Sequence, residues 1–223
     1  MIDIITCFCD RDYHLIENFI NSIKLSFDYK LTFVDDRADK SKDLSNILKD
    51  YNYLKPTQKL GAFEARRYGF EHTNNEYVWF VDIDDEPLDF DFQDTYADIC
   101  IYNFNVNSKQ DTFYEDGFFK NYSSEEKYFM WGAWNKIFKR KTLKKVFDSL
   151  PFIENLNFLD DVYLCRTFYF FAEIVKIDKQ VIYNYKCRDR NAYLFKDHPE
   201  WVEYLLENCP VYYKGYFNRL LHS

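Results

Sequence analysis

No apolar run in the chain approaches the about 20 residues that a membrane span needs. Met1 to Cys9 is too short for a secretory leader and carries Asp3. These two absences predict a protein of the cytosol, or one peripheral on the inner face of a membrane. No block of Lys or Arg stands out, and the net charge is −8, which argues against nucleic acid as a main partner. The six cysteines (7, 9, 100, 165, 187 and 209) show no CxxC pair, so neither a structural zinc site nor a small disulfide scaffold is expected. Reduced, buried thiols are the expectation, with Cys7 and Cys9 on one face of a strand. The four histidines (14, 72, 198 and 222) have no ligand spacing. Internal repeats, low-complexity tracts and evident linkers are missing too.

What is present is large and apolar. Hydrophobic residues make up 47% and charged ones 30%, a globular balance that excludes disorder. There are 23 Phe and 20 Tyr against only five Gly. A chain of 223 residues can bury a sizeable core as one α/β domain.

Ile2 to Phe8 predicts a first strand. Leu15, Ile16, Phe19, Ile20, Ile23 and Phe27 recur at helical spacing, which predicts a helix over 12–27. Leu31 to Val34 is a second strand ending in Asp35-Asp36. Leu44, Ile47, Leu48 and Tyr51 predict a helix over 41–51, and Tyr53-Leu54 a short third strand. Residues 61–72 read as a helix and 76–82 as a strand buried on both faces. This β-α-β-α-β-α-β alternation predicts a parallel sheet flanked by helices. Beyond it, a strand is expected over 98–104, and a hairpin or loop over 107–130. A helix ended by Pro151 and a helix after Asp160-Asp161 follow, then strands at 174–177 and 181–185. Closing helices are expected over 201–208 and 213–221, the latter able to touch a membrane surface or pack on the core.

The stretch Tyr77-Val78-Trp79-Phe80-Val81-Asp82-Ile83-Asp84-Asp85 drives an apolar strand into three carboxylates. Ligands of open α/β sheets bind at carboxyl ends of strands. Crowded carboxylates repel unless a hard cation sits between them. A solvated acidic turn is the competing reading of this stretch alone. Asp35-Asp36 is equally readable as an acidic turn, Arg66 as a solvated helix residue, and Asp160-Asp161 as a helix start favoured by the dipole.

Taken in order, the motifs resemble a family 2 glycosyltransferase of the GT-A type. Phe33-Val34-Asp35-Asp36 resembles the V-D-D signature, and Leu60-Gly61 through Ala65-Arg66-Arg67-Tyr68-Gly69 the G-x-x-x-A-R-N-x-G segment. Asp82-Ile83-Asp84-Asp85 resembles D-x-D-D, Asn135-Lys136-Ile137-Phe138 the N-K-L-[FY] segment, Leu159-Asp160-Asp161 the E-D motif, and Tyr183-Asn184-Tyr185-Lys186-Cys187-Arg188 the Y-x-Y-R segment. The resemblance implies a mostly parallel, Rossmann-like sheet flanked by helices with a smaller acceptor-side region. It implies one domain over 1–223: a nucleotide-sugar half (1–104), an acceptor and catalytic half (105–190) and C-terminal helices (191–223).

It further implies an inverting, metal-dependent hexosyl- or N-acetylhexosaminyl-transferase, using a nucleotide sugar, UDP-linked by preference, and a glycan or lipid-linked saccharide acceptor. Asp82 and Asp84 would hold Mn²⁺ or Mg²⁺. Phe8, Asp35, Asp36, Gly61, Arg66, Asp82 and Asp85 would line the donor, with Asp36 preferred for the base and Asp85 for a hydroxyl. Asp161 would be the general base. His198 could complete a metal shell or be an ordinary surface histidine. Trp131 and Trp134 could stack on an acceptor or fill the core.

Arg37, Lys59 and Arg67 depart from the family pattern and add positive charge beside the donor side. That implies altered donor choice or a diverged, inactive member. Two other functions fit parts of the sequence. A HAD-like phosphatase also places DxD at a strand end, though Glu86 and the late position of the motif count against it. A non-catalytic sugar- or nucleotide-binding module would keep the same scaffold.

Overall fold

A computed structural model describes residues 1–107, 109–111, 117–120, 132–154, 156–157 and 160–186. Trp131, Phe158, Leu159, Cys187, Arg188, His198, Cys209 and the expected closing helices lie outside the described residues.

The sequence's alternation yields parallel strands β1 (Ile2–Phe8), β2 (Tyr29–Asp35), β3 (Asn52–Leu54) and β4 (Tyr77–Phe80). They lie side by side in the order β3-β2-β1-β4. β1 is therefore flanked by β2 and β4, in register from Ile2 against Tyr29 and Tyr77. The sheet continues as a mixed one through β9 (Lys136–Lys139), β6 (Ile99–Val106) and β10 (Ile174–Tyr185) to the two-residue β5 (Glu86–Pro87). β9 runs antiparallel to both β4 and β6, while β6 and β10 are parallel. Short β7 (Lys109–Asp111) and β8 (Gly117–Lys120) pair with β6 and β10.

Side chains alternate across the strands with period two and supply two cores. Ile5, Val34, Val78 and Phe80 face α2 (Ala62–Glu71), α3 (Arg140–Ser149) and α4 (Asp160–Phe171). Ile4, Phe33, Trp79 and Val81 face α1 (Ile16–Ser22), Leu44, Leu48 and Phe90. The near-absence of small residues makes these cores aromatic: Phe63, Phe70 and Phe147 pack ring to ring on one side. Gly69 lets α2 lie flat on the sheet. A Cβ there would stand 2.5 Å from Ile5 Cγ2 and 3.0 Å from Val34 Cγ2.

Four expectations are corrected. The helix over 12–27 is a 3₁₀ turn at Tyr13–Leu15 followed by α1, which stops at Ser22. Ile23 turns extended, and Phe27 instead packs on Phe90 and Phe92. Residues 41–51 form successive turns rather than a helix: Asp43 Oδ1 accepts from Ser45 N at 2.9 Å, and Leu48 N bonds Leu44 O at 3.0 Å. The stripe Leu44/Leu48 is still buried, so periodicity reported burial, not helicity. The strands at 174–177 and 181–185 are one strand, β10, with register shifts between Asp178 and Tyr183 that absorb the polar stretch between them. β9 was not anticipated. Cys9 lies beyond the end of β1, so it shares no strand face with Cys7. Cys7, Cys9, Cys100 and Cys165 are free thiols; Cys100 and Cys165 are buried as expected, whereas Cys7 and Cys9 are half-buried.

Candidate active site

The acidic strand ends converge because β2, β1 and β4 are neighbours pointing the same way. Into the same crevice come the starts of α2 and α4 and the end of β10. Gly61 opens α2 with φ 87° and ψ 160°, a conformation that a side chain would strain. That turn aims the Leu60 and Gly61 amides at Asp36, whose carboxylate accepts both, at 2.6 and 3.0 Å. Burial raises the Asp36 pKa despite these bonds.

One turn into α2, Arg66 reaches across the crevice. Its Nη2 donates to Asp82 Oδ1 at 3.0 Å, and its Nη1 pairs with Asp160 and stands 3.0 Å from Asp161 Oδ1. This last contact has ion-pair distance but not hydrogen-bond geometry. Burial works against the guanidinium's charge, and Asp161 and Asp82 more than offset it, so Arg66 stays protonated. Carboxylates separated by almost eighty residues, Asp82 and Asp161, are thus held by one side chain.

The turn after β4 is closed by Asp85 N bonding Asp82 O at 3.1 Å. Burial pushes the Asp82 pKa up to about 6; Arg66 lowers it, while Asp161 and Asp84 raise it. About a third of the Asp82 side chain (35%) still faces solvent. Asp84 is half-buried. Asp85 points inward, away from the opening. Its Oδ1 accepts from Lys186 N at 2.8 Å and its Oδ2 from the Tyr183 hydroxyl at 3.0 Å. Burial and the neighbouring Asp82 charge push its pKa up to about 8.

Among the described residues no three His, Cys, Asp or Glu side chains form a ready-made metal cage. The donor set nevertheless fits Mg²⁺ or Mn²⁺. These cations bind through one or two carboxylates and complete their shell with water and phosphate oxygens. Asp82 Oδ2 takes no hydrogen bond among the described residues, and Asp84 stands two positions along the same turn.

Other anticipated residues are occupied differently. Asp35 is wholly buried and engaged by Arg37, whose Nε and Nη2 donate to its two oxygens at 2.8 Å each, and by the Tyr53 hydroxyl at 2.6 Å. Burial opposes its charge, but these donors hold its carboxyl below the usual range. Phe8 is buried in the core, with the Arg37 guanidinium 5.9 Å from its ring centroid. Trp134 stacks on Tyr183 and Tyr185, at 4.9 and 5.1 Å between centroids. Of the three added cations, Arg37 is spent on Asp35. Arg67 is turned to the Leu150 and Pro151 carbonyls at the end of α3. Lys59 alone lends its charge to the crevice, beside Asp10 and Asp36.

Two residues that the motifs contained received no role from sequence. Lys136 is wholly buried on β9, donating to Gly132 O at 2.5 Å and Asn135 Oδ1 at 2.7 Å; burial lowers its pKa, which Cys165 and Asp161 partly offset. Tyr183 meets the acidic turn over a separation of about one hundred residues. Nothing local marks it apart from other strand tyrosines.

A family model described as Glycosyl transferase family 2 matches residues 3–166. The chain belongs to glycosyl transferase family 2. The matched span runs past Phe8 at one end and Asp161 at the other and leaves out His198. Among solved structures, TarS residues 1–349 from S. aureus in complex with UDP-GlcNAc is similar, with a TM-score of 0.70 and 17% identity over 99% of this chain and 70% of that one. A longer TarS structure gives a TM-score of 0.66 at 15% identity, over 99% of this chain and 42% of that one. These likenesses establish the GT-A fold expected from the motifs; its helix-flanked sheet is mixed rather than mostly parallel, because β9 runs antiparallel to both β4 and β6. No match was found among curated protein sequences. No helix among the described residues is long and apolar enough to cross a membrane.

Proposed function

We propose that this family 2 member is an inverting glycosyltransferase that moves a sugar, of hexosyl or N-acetylhexosaminyl type, from a UDP-linked donor to a hydroxyl of a glycan or lipid-linked saccharide. The observation that carries the proposal is the Arg66 bridge, which gathers Asp82 and Asp161 at the carboxyl end of the sheet. The likeness to TarS in complex with UDP-GlcNAc favours uracil as the base.

In this reading Asp82 and Asp84 hold a divalent cation. Bound there, it supplies Lewis-acid stabilisation of the charge developing on the departing diphosphate. Asp161, at the first turn of α4, takes the proton from the acceptor hydroxyl as that oxygen attacks the anomeric carbon. Arg66 keeps the two carboxylates in mutual register and balances part of their charge. Asp36 orients the start of α2 through the Leu60 and Gly61 amides, and so acts on the donor through the backbone.

The test is transfer from a panel of UDP-sugars to saccharide acceptors with Mn²⁺ present, read as UDP release and as the anomeric configuration of the product. Release of UDP with an inverted product supports the proposal. A retained configuration overturns the direct-displacement role of Asp161. Donor binding without release on any acceptor makes the protein a binding module.

A further inference from the structure

We propose that Tyr183 is a positioning residue, whose hydroxyl sets the conformation of the Asp82–Asp85 turn and hence the aim of its outward carboxylates. The inference rests on the reading of that turn as the donor site. The Tyr183 hydroxyl sits at a junction: it accepts a hydrogen bond from Asp82 N at 3.0 Å and donates one to Asp85 Oδ2 at 3.0 Å. One oxygen therefore fixes both ends of the turn. The second oxygen of Asp85 is taken by Lys186 N, three residues further along the same strand end. The turn's exit is tied to β10 as well. Tyr183 pairs with Pro87 and Asn184 with Glu86, and Leu88 N bonds Ile182 O at 2.8 Å.

The ring itself cannot swing. It is fully buried, stacked on Trp134 at 4.9 Å with an interplanar angle of 20°. Trp134 is in turn pinned by the Trp79 indole N–H, which donates to its carbonyl at 2.5 Å. Trp79 belongs to β4, the strand that leads into the turn. The turn is thus gripped from below by its own strand and from the side by β10. A buried phenol in this grip is a rigid ruler between a backbone amide and a carboxylate. With Asp85 drawn inward to meet it, Asp82 and Asp84 are left as the half-buried carboxylates of the turn.

The test is Tyr183→Phe, which removes one oxygen and keeps the ring stack, beside Phe147→Leu, which weakens the aromatic packing in the core on the other face of the sheet and leaves the hydroxyl and its ring stack untouched. Two readouts are needed: amide hydrogen exchange at Asp82, which requires no ligand, and the dissociation constant for UDP in the presence of Mn²⁺. Tyr183→Phe loses both hydrogen bonds of the hydroxyl; loss of the one to the Asp82 amide is expected to speed exchange there by about tenfold, and UDP–Mn²⁺ binding is expected to weaken by about as much. Phe147→Leu is expected to lower the melting temperature while leaving the dissociation constant within about twofold of wild type. Unchanged Asp82 exchange in Tyr183→Phe overturns the proposal. So does faster exchange with unchanged binding, or an equal loss of binding in Phe147→Leu, which would make the effect one of general stability. A wild-type protein that binds no UDP with Mn²⁺ overturns the donor-site reading itself, and with it the inference; that failure is read from the wild type alone.

Discussion

Replacing Arg37 by Met should unfold the protein more easily and leave its nucleotide preference intact. The Arg37–Asp35 pair is inside the fold, with side-chain exposures of 2% and 0%. Removing one partner of such a pair leaves an uncompensated buried charge, at a cost of about 3–5 kcal/mol. Tyr53 keeps its bond to Asp35, so the lower end, about 3 kcal/mol, is expected. For a chain of this length that is a drop of roughly 6–12 °C in melting temperature. The pH dependence supplies a sharper test. In the wild type Asp35 is held below the ordinary carboxylate value of 3.8. Its contribution is therefore complete above that value and is lost as pH falls through the depressed one. Without Arg37, burial dominates and raises the Asp35 pKa, so the variant gains relative stability as acid neutralises the group. The gap between the two proteins should narrow as the pH is lowered from neutrality toward the ordinary carboxylate value of 3.8, measured by urea unfolding. Adding Asp35→Asn to the variant should recover much of the loss, because no charge is then left unpaired. A loss under about 1 kcal/mol, or a gap indifferent to pH, would refute the reasoning. A changed preference among nucleotide sugars would show instead that Arg37 faces the donor, as its departure from the family pattern first implied.

The remaining predictions concern the crevice. Asp161→Asn should bind UDP–Mn²⁺ as wild type does and lose transfer by about 10²–10⁴-fold, checked by calorimetry and by UDP release at saturating acceptor. Normal transfer would remove Asp161 from the role of base. Arg66→Lys keeps a charge but not the fork that spans Asp82 and Asp161, so transfer should fall by about 10²-fold through misplacement alone, with a melting temperature still above the assay temperature. A variant at wild-type rate would make the bridge a feature of stability only.

Much of the site was legible because its groups sit at strand ends and helix starts, where local pattern and chemistry coincide. The run from Tyr77 to Asp85 reads as a buried strand feeding carboxylates, and that is where β4 ends. α3 and α4 are visible as apolar stripes, and α2 as a stretch rich in Ala, Glu and Arg that Gly61 opens. What failed did so for stated physical reasons. The stripe over 41–51 is real burial carried on turns, since Asp43 caps Ser45 and the chain never gains a second helical turn. β9 escaped notice because its first residue is a lysine, and only the surrounding carbonyls make a buried amine tolerable there. β10 looked like two strands because Asp178 to Gln180 is polar, and a register shift accommodates it. Asp35 reads in sequence as available to a ligand, but Arg37, two residues away, fills both of its oxygens. Tyr183 could not be found at all without the register that brings β10 beside Glu86-Pro87.

The charge of the crevice makes one further demand on the proposed reaction. Asp82, Asp84, Asp85, Asp160 and Asp161 gather in the crevice, where the fork of Arg66 is already committed to Asp82, Asp160 and Asp161 and the buried Lys136 amine is committed to oxygens of Gly132 and Asn135. A nucleotide diphosphate is itself an anion. Entering alone, it would be repelled by carboxylates in a partly desolvated site, where charges interact more strongly than in water. A divalent cation alone would meet only two protein ligands and so bind weakly. Each is therefore the other's missing partner, and binding must be coupled. Coupling is reciprocal: the factor by which Mn²⁺ tightens UDP equals the factor by which UDP tightens Mn²⁺. Calorimetric titrations of UDP with and without Mn²⁺, and of Mn²⁺ with and without UDP, should close that cycle with a factor of roughly 5–150. Asp84→Asn should collapse the factor toward one, since it removes a ligand while leaving the Arg66 bridge in place. UDP binding as tightly in a chelator as in Mn²⁺ would mean that the protein's own cations neutralise the diphosphate. Lys59, the one added cation beside Asp10 and Asp36, would then be the residue to examine, and Asp82 and Asp84 would lose their assignment as metal ligands.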